Sequence, residues 1–180
     1  MEPSRCELGE RGACGAQAEE GLGRERNERL SGAAAQTKTA VTANELEAIL
    51  TDAGLSPTMA EDAASGSPVA AGRLGDNIIF WVRALDCAGG PKACETLMFF
   101  VNFELGRPMT PKDYAVINSY NESQVFGRAY IIEEQGQVGV DYVVELGGGV
   151  TMDRITQSVG RWADVVAAFI DKFREGQGQS

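Results

Sequence analysis

Only from Val41 onward do the apolar positions of this chain fall into patterns that specify local structure. Leu46, Ile49, Leu50 and Ala53 share one helical face, Thr42 and Glu45 have the spacing of a capping box, and Gly54 offers a stop. Residues 55–75 are rich in Ala, Ser, Gly and Pro and carry only weak strand signals around Val69–Leu74. Two strong strands follow. Asn77–Asp86 and Thr96–Glu104 are apolar on both alternating faces, which suits strands covered on both sides, although periodicity by itself also admits a buried helix. Their aromatic and β-branched content (Ile78, Ile79, Phe80, Trp81 and Val82, then Phe99, Phe100, Val101 and Phe103) favours strand. The connection Cys87–Cys94 holds Gly89-Gly90-Pro91, a turn signal.

Thr110-Pro111 starts a second helix in the preferred order of cap and first-turn proline, and Tyr114, Ile117 and Tyr120 or Asn121 continue its face. Val125–Glu133 and Val138–Leu146 read as a hairpin around Gln135-Gly136, whose glycine suits a positive φ. After Gly147-Gly148-Gly149, Thr151 caps the last helix and Asp153 sits in its first turn, where the helix dipole favours an anion. Ile155, Val159, Trp162, Val166, Phe169 and Phe173 then recur at steps of four and three, and Gly176 ends the pattern. The expected fold is α+β, an antiparallel sheet of about five strands flanked by three helices, in a domain spanning residues 41–176. Residues 1–40, with no aromatic or β-branched run able to bury surface, are expected to form a disordered tail.

Composition narrows the function. The net charge of −10 belongs to the folded part, because the first 40 residues hold seven acidic and six basic side chains. Such a domain lacks the basic patch that neutralises phosphates, so no nucleic acid partner is expected. No apolar run approaches the ~20 residues of a membrane span. The chain contains no histidine, which removes the commonest general base, the usual catalytic triads and most catalytic zinc sites. Neither an enzymatic activity nor a cofactor is expected. As written, the chain shows no export signal, which makes the cytoplasm the default location. Ala33-Ala34-Ala35-Gln36 nonetheless resembles the small-residue end of a signal peptide whose apolar part is missing.

Several residues carry candidate chemistry. Cys87 and Cys94 bracket a turn between adjacent strands; if those strands form a hairpin, their Cβ atoms approach disulfide distance, and such a bond points to an exported location. The alternative is two reduced thiols at a strand end. A metal site is not expected, since two thiolates without histidine make a poor ligand set. Asn118, Asn121, Arg128 and Tyr130 either line a groove that hydrogen-bonds a partner or serve local structure, with the asparagines tying the second helix to the next strand and Arg128 paired to an acid such as Glu122. Gly147-Gly148-Gly149 fits no phosphate-binding spacing and reads as a tight strand-to-helix turn. Glu133, Asp141 and Glu145 read as a solvated strand face. The stripe of the last helix reads as core, with exposed ends at Trp162 and Phe173 that could serve a dimer or a partner helix.

Ile117-Asn118-Ser119-Tyr120-Asn121, then Phe126-Gly127-Arg128-Ala129-Tyr130, Gly147-Gly148-Gly149-Val150 and the Trp162…Phe169 helix together resemble the YbjN family of bacterial proteins, with Tyr120 in a slot that the family often fills with tryptophan. The resemblance covers about Val41–Phe173. It implies a fold similar to type III secretion chaperones, small acidic α/β proteins that commonly dimerise and cradle partner segments. It also implies a role in sensory-transduction regulation with no established reaction. Some relatives are exported and carry a paired-cysteine hairpin similar to Asp86-Cys87…Cys94. The first expectation is therefore a non-catalytic, chaperone-like module that binds a protein partner, as a homodimer, through an exposed apolar groove or sheet face. The alternative is an exported periplasmic domain stapled at Cys87–Cys94 that binds a small ligand or an envelope component.

Overall fold

The computed structural model describes residues 37–178, so the expected tail lies outside the described residues except for its last four positions. Those four belong to the folded part, where Thr37–Lys38 forms β1. Ten further elements follow: α1 (Ala43–Asp52), β2 (Thr58–Glu61), β3 (Pro68–Leu74), β4 (Ile78–Ala88), β5 (Ala93–Glu104), α2 (Pro111–Ser123), β6 (Arg128–Ile132), β7 (Gln137–Glu145), β8 (Val150–Thr151) and α3 (Met152–Gln177).

Local chemistry explains the boundaries. Thr42 and Glu45 close the expected capping box on α1: the Thr42 N–H donates to the Glu45 carboxylate at 2.8 Å and the Glu45 N–H donates to Thr42 Oγ1 at 3.4 Å. Thr151 caps α3 by accepting from the Arg154 N–H. That helix runs past Gly176 to Gln177, and the left-handed residue that ends it is Gly178, at φ 78°. Gly136, at φ 61°, makes the turn into β7 after a short 3-10 turn at Glu133–Gln135. The strand before that turn starts at Arg128, three residues later than expected, and Val125–Gly127 are loop. β4 and β5 are longer than the apolar pattern indicates, so Cys87 and Cys94 lie within strands and only residues 89–92 form the turn.

Six strands pair in the order β2-β3-β4-β5-β7-β6, antiparallel throughout, and β1 pairs with β8 in a separate two-stranded ribbon. The strand missing from the expectation is β2. Its four residues, Thr-Met-Ala-Glu, carry too little apolar pattern to register as a strand.

All three helices cover one face of this sheet. Leu46, Ile49 and Leu50 of α1, Ile117 and Tyr120 of α2, and the α3 stripe pack onto Phe80, Val82, Leu97, Phe99, Val101, Val138 and Val140. Trp162 is at the centre of this layer, with 0% exposure and its ring 5.9 Å from Phe80 and 6.0 Å from Phe99. The expected exposed end at Trp162 is thereby corrected: α3 lies along the sheet, so its central turns face strands and not solvent. The expectation that β4 and β5 are covered on both sides is not met among the described residues, because no helix of theirs lies on the second face.

Candidate protein-binding face

Side chains alternate along each strand, and the register lines them up across the uncovered face in rows. The central row runs Ala71, Trp81, Phe100, Asp141, Arg128 across β3, β4, β5, β7 and β6. Beside it runs Ala60, Val69, Arg83, Met98, Val143. On the other side lie Asn102, Gly139 and Tyr130, with Arg73 and Ile79 on the neighbouring strands. Large apolar groups stay open to solvent here: Ile79 is 42% exposed, Trp81 36% and Val143 44%. A patch of this kind on a domain that already has a packed core is a candidate interaction surface.

Trp81 and Phe100 stack on each other with ring centroids 5.9 Å apart, and the Arg83 guanidinium lies 5.6 Å from the Phe100 centroid. Ala60, Asp62, Val69, Trp81, Arg83 and Phe100 line an open depression of about 350 Å³. Hydrogen bonds from the Ser65 N–H and hydroxyl hold the Asp62 carboxyl below its ordinary value, and its other oxygen faces Arg83 at 3.7 Å. A second shallow depression, of about 410 Å³, continues the face past the start of β6 and is lined by Val125, Phe126, Arg128, Asp141 and Val143. Phe126 is held there by the Arg161 guanidinium, 4.1 Å from its ring centroid.

At the β6 end Arg128 pairs with Asp141 at 2.5 Å, not with Glu122, because the register sets the two directly opposite each other. Asp141 is buried beneath Arg128, whose side chain stays 72% exposed and whose pKa the Asp141 contact raises. Tyr130 Oη donates to Asn102 Oδ1 at 2.7 Å. Burial pushes Tyr130 up to about 12, with Asp141 adding to the shift and Arg128 opposing it. Gly139 makes this crossing feasible: a Cβ there would meet Asn102 Oδ1 at 2.5 Å and the Tyr130 ring at 2.6 Å.

The residues expected to act together are thus divided. Arg128 and Tyr130 reach the open face. Asn121 clamps the β6 edge, accepting from the Ala129 N–H at 2.8 Å and donating to the Ala129 carbonyl at 3.0 Å. Asn118 is exposed on α2, and Trp162 belongs to the core. Glu145 accepts from Thr96 Oγ1 together with Asp86. Gly147-Gly148-Gly149 forms a turn with φ of 84° and 99° at its last two positions.

Cys87 and Cys94 are direct cross-strand partners with Cα atoms 3.9 Å apart, and their sulfurs are bonded as a disulfide. On its other side the Cys94 backbone exchanges two hydrogen bonds with Val41, each of 2.9 Å. The residue that the sequence left unnoticed is Asp113. Fully buried, it accepts from Arg107 through two bonds of 2.8 Å, from the Thr110 N–H and hydroxyl at 2.7 Å, and from Gln177 Nε2 at 2.8 Å. The Arg107 contact holds its carboxyl well below the usual carboxylate range against the opposing effect of burial. Thr110 and Asp113 have the spacing of a capping box, a local signal that could have pointed to this residue, whereas the contact with Gln177 joins distant parts of the chain. No group of three or more metal-ligating side chains occurs among the described residues, and no helix among them is long and apolar enough to cross a membrane.

Residues 42–175 match a family profile described as "YbjN: Putative bacterial sensory transduction regulator". No curated protein matches the chain. Among solved structures the chain is similar to "Crystal structure of YbjN, a putative transcription regulator from E. coli", with a TM-score of 0.56 at 17% identity, over 76% of this chain and 94% of that one. At that identity the likeness carries the fold alone.

Proposed function

The chain belongs to the YbjN family, and from this premise we propose that it is a non-catalytic regulatory module whose open sheet face docks another protein. The observation that carries this reading is the Trp81–Phe100 pair, held open to solvent at the centre of a six-stranded sheet whose described helices all lie on the other side. Aromatic side chains flanked by arginine are the groups that anchor protein interfaces. The two rings stack on each other instead of lying side by side as a flat platform, which suits insertion between a partner's side chains better than stacking on a sugar or base.

A photo-crosslinking residue placed at Met98, on this face, tests the reading in living bacteria against the same residue placed at Lys172 on α3. Protein adducts from Met98 that disappear on Trp81→Glu support it. Absence of any adduct from Met98, or adducts from Lys172 alone, overturns it.

The Cys87–Cys94 pair favours an additional reading about location. Disulfides persist in oxidising compartments, so the bond supports a working place outside the reducing cytosol. Alkylation of intact host cells checks this: modification of both cysteines without prior reduction would sink it.

A further inference from the structure

We propose that the open sheet face takes an extended, basic segment of a different protein, which lays an apolar side chain on Trp81 and Phe100 and a lysine or arginine between Asp86 and Glu145. This rests on the reading of the face as a protein-docking surface and specifies the chemistry of its partner.

The charges on the face are unevenly matched. Of its three arginines, Arg128 pairs with Asp141, Arg83 faces Asp62 at 3.7 Å, and Arg73, at the far margin, donates to the Asp76 carbonyl at 3.3 Å. The acids at the other end have no such partners. Leu85, Thr96 and Glu145 form the row beyond Arg83, Met98 and Val143, towards the β4–β5 turn. Asp86, whose backbone is left-handed at φ 53°, turns its carboxylate onto the same threonine. Thr96 Oγ1 thus stands 2.7 Å from Asp86 and 3.0 Å from Glu145, and no lysine or arginine among the described residues pairs with either acid.

A hydroxyl has one proton to give. Thr96 therefore satisfies one carboxylate at a time, and the other faces its lone pairs with a second negative charge alongside. A cation between the two acids relieves both contacts. Two carboxylates make a poor metal site, and no group of three or more ligating side chains occurs among the described residues. An ammonium or guanidinium group needs no further ligand, since it donates to both acids as they stand.

The apolar part of the face sets the spacing. Thr96, Met98 and Phe100 follow one another on the open side of β5, at steps of ~6.7 Å. An extended segment lying along β5 repeats those steps, so its basic residue stands four positions from the apolar residue that meets Trp81 and Phe100. Charge fixes its direction, because the reversed segment brings its cation to the Arg73 end. At longer range the net charge of −10 attracts a basic partner and repels an acidic one, a second copy of this chain included. Glu61, which lines the depression beside Trp81, adds to the same field.

The photo-crosslinking residue at Met98, in the full chain in its bacterial host, lies between the two halves of this site. Mass spectrometry of the adduct should show a segment of a different protein with a lysine or arginine within four residues of the attached position. Asp86→Asn/Glu145→Gln keeps both side-chain shapes and both acceptors for Thr96, and should lower the adduct yield about tenfold. Asp171→Asn/Glu175→Gln on the exposed side of α3 removes the same charge and should leave the yield unchanged. Changing the partner's basic residue to glutamate should lower the yield as far, and Glu145→Lys should then restore it, which loss of folding cannot imitate. Undiminished yield from Asp86→Asn/Glu145→Gln overturns the proposal and leaves the docking reading standing. So does an attached segment without a basic residue, or one from a second copy of this chain. Absence of any adduct from Met98 removes both.

Discussion

Asn121 and Ala129 are joined by two hydrogen bonds, the side-chain amide of the first meeting the backbone N–H and carbonyl of the second at 2.8 and 3.0 Å. In this way the last turn of α2 closes the start of an edge strand that would otherwise present unpaired groups to another chain. Asn121→Ala should cost ~1–3 kcal/mol, from two hydrogen bonds of ~0.5–1.5 kcal/mol each. Urea unfolding checks this as a lower midpoint at unchanged slope. Light scattering should show the variant associating more than the wild type, and Asn121→Asp, which keeps the acceptor but loses the donor, should fall between the two.

Gly176 lies inside α3 and against Val116 of α2. A Cβ at Gly176 would come within 2.9 Å of Val116 Cγ1 and 3.2 Å of its Cβ, with Cγ2 closer still. Val116 is a β-branched residue on a packed helix and has little freedom to turn away. Gly176→Ala is therefore expected to destabilise by ~1–3 kcal/mol through overpacking, which exceeds the ~1 kcal/mol that alanine gains over glycine in a helix. Calorimetry of Gly176→Ala/Val116→Ala should recover part of the loss, because the second change removes the obstructing methyl groups.

Asp113 makes acid sensitivity a property of one site. Its folded pKa is depressed from 3.8 by the Arg107 contact, so its contribution is present above the unfolded value and fades as pH falls through the folded one. Asp113→Asn should cost ~2–4 kcal/mol at neutral pH, given that bonds to a charged group are worth ~1.5–3 kcal/mol each. The gap between wild type and variant, followed by denaturant unfolding, should close steadily below about pH 4. Glu45 adds to the same trend, with a pKa lowered from 4.5 to about 2 by its bond to Lys38.

The Cys87–Cys94 bond closes a short loop at the end of the β4–β5 hairpin. Reduction should lower stability by about 2 kcal/mol on the loop-entropy estimate. Thiol titration in denaturant offers the companion check: two of the four cysteines should react only after reduction.

Much of the architecture was legible in the residues. The capping box at Thr42 and Glu45, the aromatic and β-branched runs of β4 and β5 and the stripe of α3 are strong local signals, and each appears in the fold. What the residues concealed were relations between elements. Because Ile79, Trp81, Met98 and Phe100 are as apolar as their neighbours on the helix side, the strands read as covered on both faces. Three helices cannot cover both faces of six strands, but that shortage is visible only once β2 has been counted. Trp162 misled for a similar reason, since an apolar stripe says which residues share a helix face and not what that face meets. The pairing of Arg128 with Asp141 depends on register, for which no local pattern exists, whereas Asp113 was legible in part from its capping-box spacing to Thr110 and only its bond from Gln177 is distant in sequence.

The pairing of β1 with β8 has a consequence for the order in which the molecule is made. Among the described elements β1 and α1 leave the ribosome ahead of the rest, yet their partners, β8 and α3, leave after all the others. The cap at Thr42 allows α1 to form locally in the meantime, but the layer that should cover it has not been synthesised. A nascent chain stalled before Val150 therefore holds out Leu46, Ile49 and Leu50 to the cell's own folding machinery, and the fold closes only when its final helix arrives.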